Sequence, residues 1–124
     1  MTEKFLYALN YINGNTAYGI WQDLNEGNCD DVISIDSMKI FIDFFSFAIE
    51  KNIIVEYDID KKIPVFSEDP PNVVANRIFS DFHEKIPDLP KKCPPDSDDF
   101  VGYMFYKQGW AVLYQGTTLI LPDV

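Results

Sequence analysis

Basic and reactive side chains are scarce in this sequence. Its 124 residues include one arginine, Arg77, one histidine, His83, and two cysteines, Cys29 and Cys93. Two cysteines are too few for a disulfide framework, and together with one histidine they are too few for a zinc site of ordinary composition. We therefore expect free thiols, no bound metal and no cofactor.

Motifs for catalysis are missing as well. The glycines fit neither the G-x-G-x-x-G pattern of dinucleotide-binding proteins nor the G-x-x-x-x-G-K-[ST] pattern of phosphate loops. A nucleophilic enzyme would need His83 beside one of the two cysteines, and the sequence does not place them together. Asp96, Asp98 and Asp99 begin like a calcium loop, but the glycine and the glutamate that such a loop requires are absent. We therefore predict a protein without catalytic activity.

The chain also lacks a long apolar run. Its first residues, MTEKFLYALNYING, contain neither a basic segment followed by an apolar stretch nor a small-residue cleavage site. The longest apolar stretch, MKIFIDFFSFAI, contains Asp43 and is too short to cross a bilayer. We expect a cytoplasmic protein.

Negative charge, by contrast, is abundant. The 20 acidic residues exceed the 10 basic ones and give a formal net charge of -10. Nucleic acids and anionic membranes are poor partners, because their binding depends on lysine and arginine side chains that neutralise phosphates. The acidity either keeps the protein soluble or attracts a basic partner and speeds its association. Aromatic residues make up 15% of the chain, enough for a dense core with some left for the surface.

The length and the hydrophobic periodicity predict one domain, residues 1–124, with helices in its first half. Short helices are expected over KFLYALNYI and TAYGIWQDLNEG, followed by a largely apolar, central helix that Asp36 begins. The segment IIVEYDID reads as a strand, and KKIPVF adds a second short strand limited by Pro64. Asp69, followed by two prolines, is the predicted N-cap of a helix that runs to about Lys85.

The last third predicts a β-meander. A two-residue turn at Gln108-Gly109 would pair Tyr103 with Tyr114, and a second turn at Gly116-Thr117 would lead into TLIL. The predicted fold class is therefore α+β, with three to four helices packed on a small, mainly antiparallel sheet that ends in this meander. Both faces of the meander are apolar, so an exposed aromatic face or edge is available for a partner.

The order of these segments resembles that of a known family. The apolar helix IDSMKIFIDFFSFAIEKN leads directly into IIVEYD, the helix DPPNVVANRIFSDFHEK follows, and CPPD precedes a hairpin that ends in GWAVLYQG. Over residues 33–116 this layout resembles small bacterial immunity proteins of contact-dependent growth inhibition systems. The resemblance implies a single-domain protein that binds one toxin, often a nuclease with a basic cleft, and blocks its active site or a nearby surface.

Charge and aromatic content predict the docking surface. A nuclease cleft must be positive to hold phosphates, so an inhibitor that presents carboxylates is attracted to it, and tyrosine and tryptophan are typical anchors. The predicted carboxylates are Asp30, Asp31, Asp58, Asp60, Asp96, Asp98 and Asp99, and the predicted anchors are Tyr103, Tyr106, Trp110 and Tyr114. We expect a monomer or weak dimer. Two alternatives remain open: an acidic non-catalytic adaptor, and a small-ligand-binding domain with a pocket under the meander.

Overall fold

In the residues that the structure describes, the elements follow one another as three helices, two strands, three helices and two strands. The structure is a computed structural model that describes residues 2–25, 35–85 and 98–123, without the side chains of Thr2, Ile35 and His83. The helices in these ranges are α1 (Thr2–Asn10), α2 (Ala17–Leu24), α3 (Ile35–Glu50), α4 (Pro71–Ile78), α5 (Phe82–Lys85) and α6 (Asp98–Tyr106). The strands are β1 (Ile54–Asp58), β2 (Ile63–Val65), β3 (Trp110–Tyr114) and β4 (Thr118–Ile120). The predicted α+β class is confirmed, with more helices than the three or four expected.

The four strands form one antiparallel sheet in the order β2-β1-β3-β4. Val112 lies at its centre, opposite Ile54 on one side and Ile120 on the other. A turn precedes β4 as predicted, but one residue earlier than Gly116-Thr117: its central residues are Gln115 and Gly116, at φ of 54° and 72°. The C-terminal strands and the antiparallel character of the sheet are thus as predicted.

The prediction that the meander begins with a strand before Gln108 is wrong, because residues 98–106 form helix α6. Phe100 and Met104 lie four residues apart and are both fully buried, so one helical face reaches the core. Asp98 and Asp99 occupy the first turn, where negative charge favours a helix. Tyr103 therefore does not pair with Tyr114, and β3 pairs with β1 and β4 instead.

Helix α4 also departs from prediction at both ends. It begins at Pro71, with Pro70 and not Asp69 as its N-cap, and it ends at Ile78. A turn then separates it from α5, and this break directs two phenylalanines into different parts of the core. Phe79 packs on α3, with its ring 4.8 Å from that of Phe45, while the ring of Phe82 lies 5.1 Å from Tyr103.

Helix α3 lies at the centre of the molecule, as its largely apolar sequence predicts. Its residues Phe41, Phe44, Phe45 and Ala48 are fully buried, and the helix contacts α2, α4 and β1. Edge-to-face contacts near 5 Å join its rings to those of neighbouring elements, a geometry that aromatic side chains prefer. In the described part of the chain, no helix is long and apolar enough to cross a membrane.

Candidate functional site

Part of the predicted surface falls outside the described residues. Asp30, Asp31 and Asp96 lie there, as do Cys29 and Cys93. The side chain of His83 is likewise outside the description. The described ranges hold no group of three histidine, cysteine, aspartate or glutamate side chains that could bind a metal ion.

Asp58 and Asp60 lie in the turn that joins β1 to β2. Asp58 Oδ1 accepts hydrogen bonds from the backbone N–H groups of Asp60 and Lys61, both at 3.0 Å, so its side chain shapes the turn. Asp60 is exposed, and 47% of the surface of Ile59 is exposed between the two aspartates. The turn therefore presents acidic and apolar side chains together.

Tyr106 lies at the same end of the sheet as this turn. The backbone N–H of Tyr57 donates to the carbonyl of Gly109 at 2.9 Å, which places the segment after α6 beside the end of β1. Tyr106 leaves 67% of its surface exposed, and its ring contacts that of Phe105 at 5.1 Å. The structure thus places Tyr106, Asp58 and Asp60 at one end of the sheet.

The remaining predicted residues that are exposed lie away from this end. Asp98 and Asp99 begin α6, eight and seven residues before Tyr106, so Asp98 is about 12 Å away along the helix. Tyr114 is 44% exposed and stands at the other end of β3, about 13 Å from Trp110 by the rise of a strand. The described residues of the predicted surface are therefore spread over separate places on the molecule.

The prediction that Trp110 is a binding anchor is wrong, because Trp110 belongs to the core. It is fully buried on an inner strand, and its ring packs against Phe45 of α3 at 5.2 Å. Its Nε1 has no hydrogen-bond partner among the described residues. Burying an unpaired N–H has a cost, but the large ring contributes apolar burial that outweighs it. Trp110 is thus not available as an anchor.

Tyr103 is half-buried, and its hydroxyl already has a partner inside the protein. It donates to Asp81 Oδ1 at 2.6 Å, and Lys107 Nζ lies 3.1 Å from the same oxygen. Burial raises the pKa of Tyr103, and the bond to Asp81 raises it further. Burial acts to raise the pKa of Asp81 too, but the hydrogen bonds from Tyr103 and Lys107 outweigh it and lower that pKa below its usual range. This cluster attaches α6 to the turn before α5.

Exposed apolar residues follow the β1–β2 turn, and the sequence reasoning missed them. Ile63, Val65 and Phe66 have exposed fractions of 50%, 37% and 74%. The available signal was Pro64, which confines a strand to a sheet edge and therefore leaves its side chains without a neighbouring strand. Beside Phe66 lies a groove of about 290 Å³ that is bordered by the carboxylates of Glu50, Glu56 and Asp69 and by apolar side chains of α3, α4 and β2.

Arg77 bonds to two of the carboxylates that border this groove, those of Glu56 and Asp69. Its guanidinium donates to both oxygens of Glu56 on β1, through Nε at 3.2 and 3.0 Å and through a terminal nitrogen at 2.8 Å. The other terminal nitrogen donates to Asp69 at 2.8 Å, and Ser67 also donates to Asp69. The bond from Arg77, followed by that from Ser67, lowers the pKa of Asp69. Asp69 therefore connects α4 with the segment after β2.

The free edge of β2 is poorly suited to adding another strand. Tyr57 directs its N–H toward β3, so Pro64, its partner in β2, directs its backbone toward solvent. Proline has no N–H to offer at that position. A partner at this edge would therefore be recognised through side chains.

No protein-family model matches the chain, and neither a curated protein nor a solved structure matches it. The chemistry of the surface is therefore the basis for assigning a function.

Proposed function

We propose that the protein binds and neutralises a cognate toxin domain, as do the immunity proteins that its layout resembles. The observation that supports the proposal best is one surface on which a half-buried and an exposed carboxylate lie beside exposed apolar side chains. This hairpin surface consists of Asp58, Ile59, Asp60, Ile63, Val65 and Phe66. The proposed partner is a nuclease with a basic cleft, and neutralisation would take place in the cytoplasm.

Charge on and around the hairpin surface favours a basic partner. Residues 56–69 contain five carboxylates and two lysines, Arg77 pairs with two of these carboxylates, and the whole chain carries a net charge of -10. A field of this sign attracts a positive cleft and raises the rate of association by about 10- to 1,000-fold at low salt. The nuclease needs its positive charge for its substrate, so the inhibitor uses an attraction that the toxin cannot easily lose.

Apolar side chains on the same surface supply contact area that loses water on binding. Phe66 is the most exposed large apolar side chain among the described residues. Its full burial by a partner would contribute about 1.5–3 kcal/mol. Tyr106, at the same end of the sheet, is a second anchor of the kind that is frequent in binding hot spots.

The proposal assigns binding and no catalytic step, with the protein acting as a monomer or weak dimer. An acidic adaptor, the alternative reading, would use the same surface for an ordinary cellular partner. A toxin domain encoded by the adjacent gene distinguishes the two roles, because only an immunity protein would protect growth when it is produced together with that domain.

The hairpin contains charged residues of both signs, so a matched pair of charge variants can be made in it. Asp58→Asn with Asp60→Asn removes two negative charges and retains the side-chain oxygen that shapes the turn, while Lys61→Gln with Lys62→Gln removes two positive charges beside them. We expect the asparagine variant to associate with the toxin domain about 10-fold more slowly at low salt, and the glutamine variant to associate faster. Stopped-flow binding at low and high salt measures both rates.

Dissociation provides a separate measurement. Phe66→Ala should raise the dissociation rate and weaken binding by about 2 kcal/mol if Phe66 is an anchor. If both charge variants associate at the rate of the native protein at every salt concentration, and Phe66→Ala binds normally, then the hairpin surface is not the interface.

A further inference from the structure

A second groove lies between α1 and α2 and contains two exposed tyrosines. Tyr7 lies on α1 and Tyr11 directly follows the last residue of that helix, with exposed fractions of 39% and 59% and ring centroids 5.3 Å apart. Opposite them are Asn15, Gly19 and Asp23, and the groove has a volume of about 460 Å³. We call it the tyrosine groove.

The polar side of the tyrosine groove is held in place before any ligand binds. Asn15 Oδ1 accepts a hydrogen bond from the backbone N–H of Thr16 at 2.9 Å, and Asn15 Nδ2 lies 3.4 Å from Asp23 Oδ2. Thr16 in turn caps α2 by accepting from the N–H of Gly19 at 3.0 Å. A Cβ at position 19 would overlap the side chain of Asn15, so glycine there is what allows Asn15 to lie across the helix. A preorganised site loses less entropy on binding.

Charged side chains extend the tyrosine groove at one end. An adjoining depression of about 240 Å³ shares Tyr7 and Asp23 and adds Glu3 and Lys4. The two carboxylates exceed the one ammonium group, and the net charge of -10 adds to the local negative field. An anionic ligand would be repelled, and a purely apolar ligand would displace water from the carboxylates without offering them a donor.

Aromatic faces, carboxylate oxygens and amide oxygens together match the chemistry of a guanidinium group. Arginine is planar, stacks on aromatic rings and offers five N–H donors to carboxylates and amides. A carboxylate such as that of Asp23 has up to four acceptor positions and so can bond to a ligand in addition to its partners within the protein. We propose that the tyrosine groove binds an arginine side chain presented by a protein partner.

This site is separate from the hairpin surface. Gly14, which lines the tyrosine groove, accepts a hydrogen bond from the N–H of Asp123 at 3.0 Å, and Asp123 follows β4. The hairpin surface includes β2, at the opposite edge of the four-stranded sheet, about 14 Å away across three strand spacings. The inference goes beyond the proposed function, because the tyrosine groove can bind a partner whether or not that partner is a toxin.

Peptide titrations of the isotopically labelled protein followed by NMR test this site directly. The probes are three peptides that differ only in their central residue: acetyl-Gly-Arg-Gly-amide, acetyl-Gly-Lys-Gly-amide and acetyl-Gly-Gln-Gly-amide. We expect the arginine peptide to bind best and to shift the amide signals of Asn15 and Gly19 and the ring signals of Tyr7 and Tyr11. The lysine peptide should bind more weakly, because its ammonium group cannot stack as a plane, and the glutamine peptide should leave these signals unchanged.

Variants that remove the groove tyrosines or the nearby positive charge provide a second test. Tyr7→Leu with Tyr11→Leu should weaken arginine-peptide binding by about 2- to 5-fold for each ring removed. Lys4→Gln should strengthen it, because a like charge beside the ligand is removed. Tyr114→Leu is the matched control, since it removes an exposed tyrosine outside both the tyrosine groove and the hairpin surface and should leave binding unchanged.

Three results would overturn the proposal: equal shifts with the glutamine peptide, native-like affinity in the double leucine variant, or an equal loss in the Tyr114→Leu control. Lys4→Gln keeps the test decisive if the double variant is poorly folded, because unchanged affinity in Lys4→Gln would also contradict the proposed site. Since no toxin is used, a failure here is independent of the outcome at the hairpin surface.

Discussion

Tyr103 and Tyr106 lie one helical turn apart on α6, and the fold gives them different roles. Tyr103 is half-buried and donates to Asp81 at 2.6 Å, whereas Tyr106 leaves 67% of its surface exposed. A residue three positions further along a helix points in nearly the same direction, so the difference arises from what packs against each ring. Phe82 and Lys107 contact the ring of Tyr103 and withdraw it from solvent.

Replacing Tyr103 tests whether its role is structural. Tyr103→Phe should lower the free energy of unfolding by about 1 kcal/mol at pH 6, because it removes a hydrogen bond to a charged and partly exposed carboxylate. The pKa of Asp81 is depressed in the folded state, so this stabilisation is complete above the unfolded-state pKa of about 3.9 and is lost as pH falls through the lower folded-state value. Urea unfolding at pH 6 and pH 3 should show a deficit that shrinks at pH 3.

Tyr106→Phe serves as the control for that experiment and should change stability little at either pH, because its side chain is exposed. An equal loss in Tyr106→Phe, or a Tyr103→Phe deficit that is unchanged at pH 3, would argue against the Asp81 hydrogen bond as the cause.

Arg77 links helix α4 to β1 and to the segment that joins β2 to α4. From α4 it reaches Glu56 on β1 and Asp69 in the segment after β2, and it contacts Glu56 through both carboxylate oxygens. The hydrogen bonds that Arg77 donates to Glu56 and Asp69 raise the pKa of Arg77, so it stays charged at any ordinary pH. The planar fork of the guanidinium makes this arrangement possible, and lysine lacks that fork.

Arg77→Lys keeps the charge and removes the fork, and thus tests the connection between these elements. We expect amide hydrogen exchange to become severalfold faster in β2 and α4, because one ammonium group cannot hold both carboxylates in the same geometry. Mass spectrometry of exchange resolved by peptide measures this effect. Lys39→Gln is the control, since Lys39 pairs only within α3, with Asp43 at 2.9 Å, and exposed pairs of this kind contribute little. Equal exchange in the two variants would show that the Arg77 contacts do not restrain these elements.

The whole molecule is dominated by its negative charge, with 20 acidic residues and 10 basic ones. Like charges repel one another over distances comparable to the size of the protein when salt is low, because the screening length is about 30 Å at 0.01 M ionic strength and about 8 Å at 0.15 M. The compact state brings these charges closer than the unfolded chain does, so repulsion destabilises it.

Salt should therefore stabilise the protein. Raising NaCl from 0.01 to 0.15 M should increase the melting temperature by about 4 °C, which corresponds to roughly 1 kcal/mol of relieved repulsion. Differential scanning calorimetry in NaCl and in KCl provides the measurement, and equal curves in the two salts exclude binding of a particular cation. A melting temperature that falls with salt would mean that attractive pairs such as Arg77 with Glu56 outweigh the repulsion.

Local patterns in the sequence determined the α+β class, the apolar central helix α3, the strands β1 and β2, and the turn before β4. Each of these depends on the spacing of apolar residues or on turn residues that are neighbours in the chain, so no distant partner is needed to predict it. The acidity of the molecule also follows from composition alone, since charge adds up regardless of fold.

Tertiary packing decided the remaining features. Residues 98–106 contain aromatic residues that suit a strand as well as a helix, and the helix forms where Phe100 and Met104 reach a core built by other elements. The same packing buries Trp110 and leaves Phe66, Tyr7 and Tyr11 exposed, although all are large side chains in apolar segments. Burial depends on which distant residues pack against a side chain. The residues next to it in the sequence do not identify those partners.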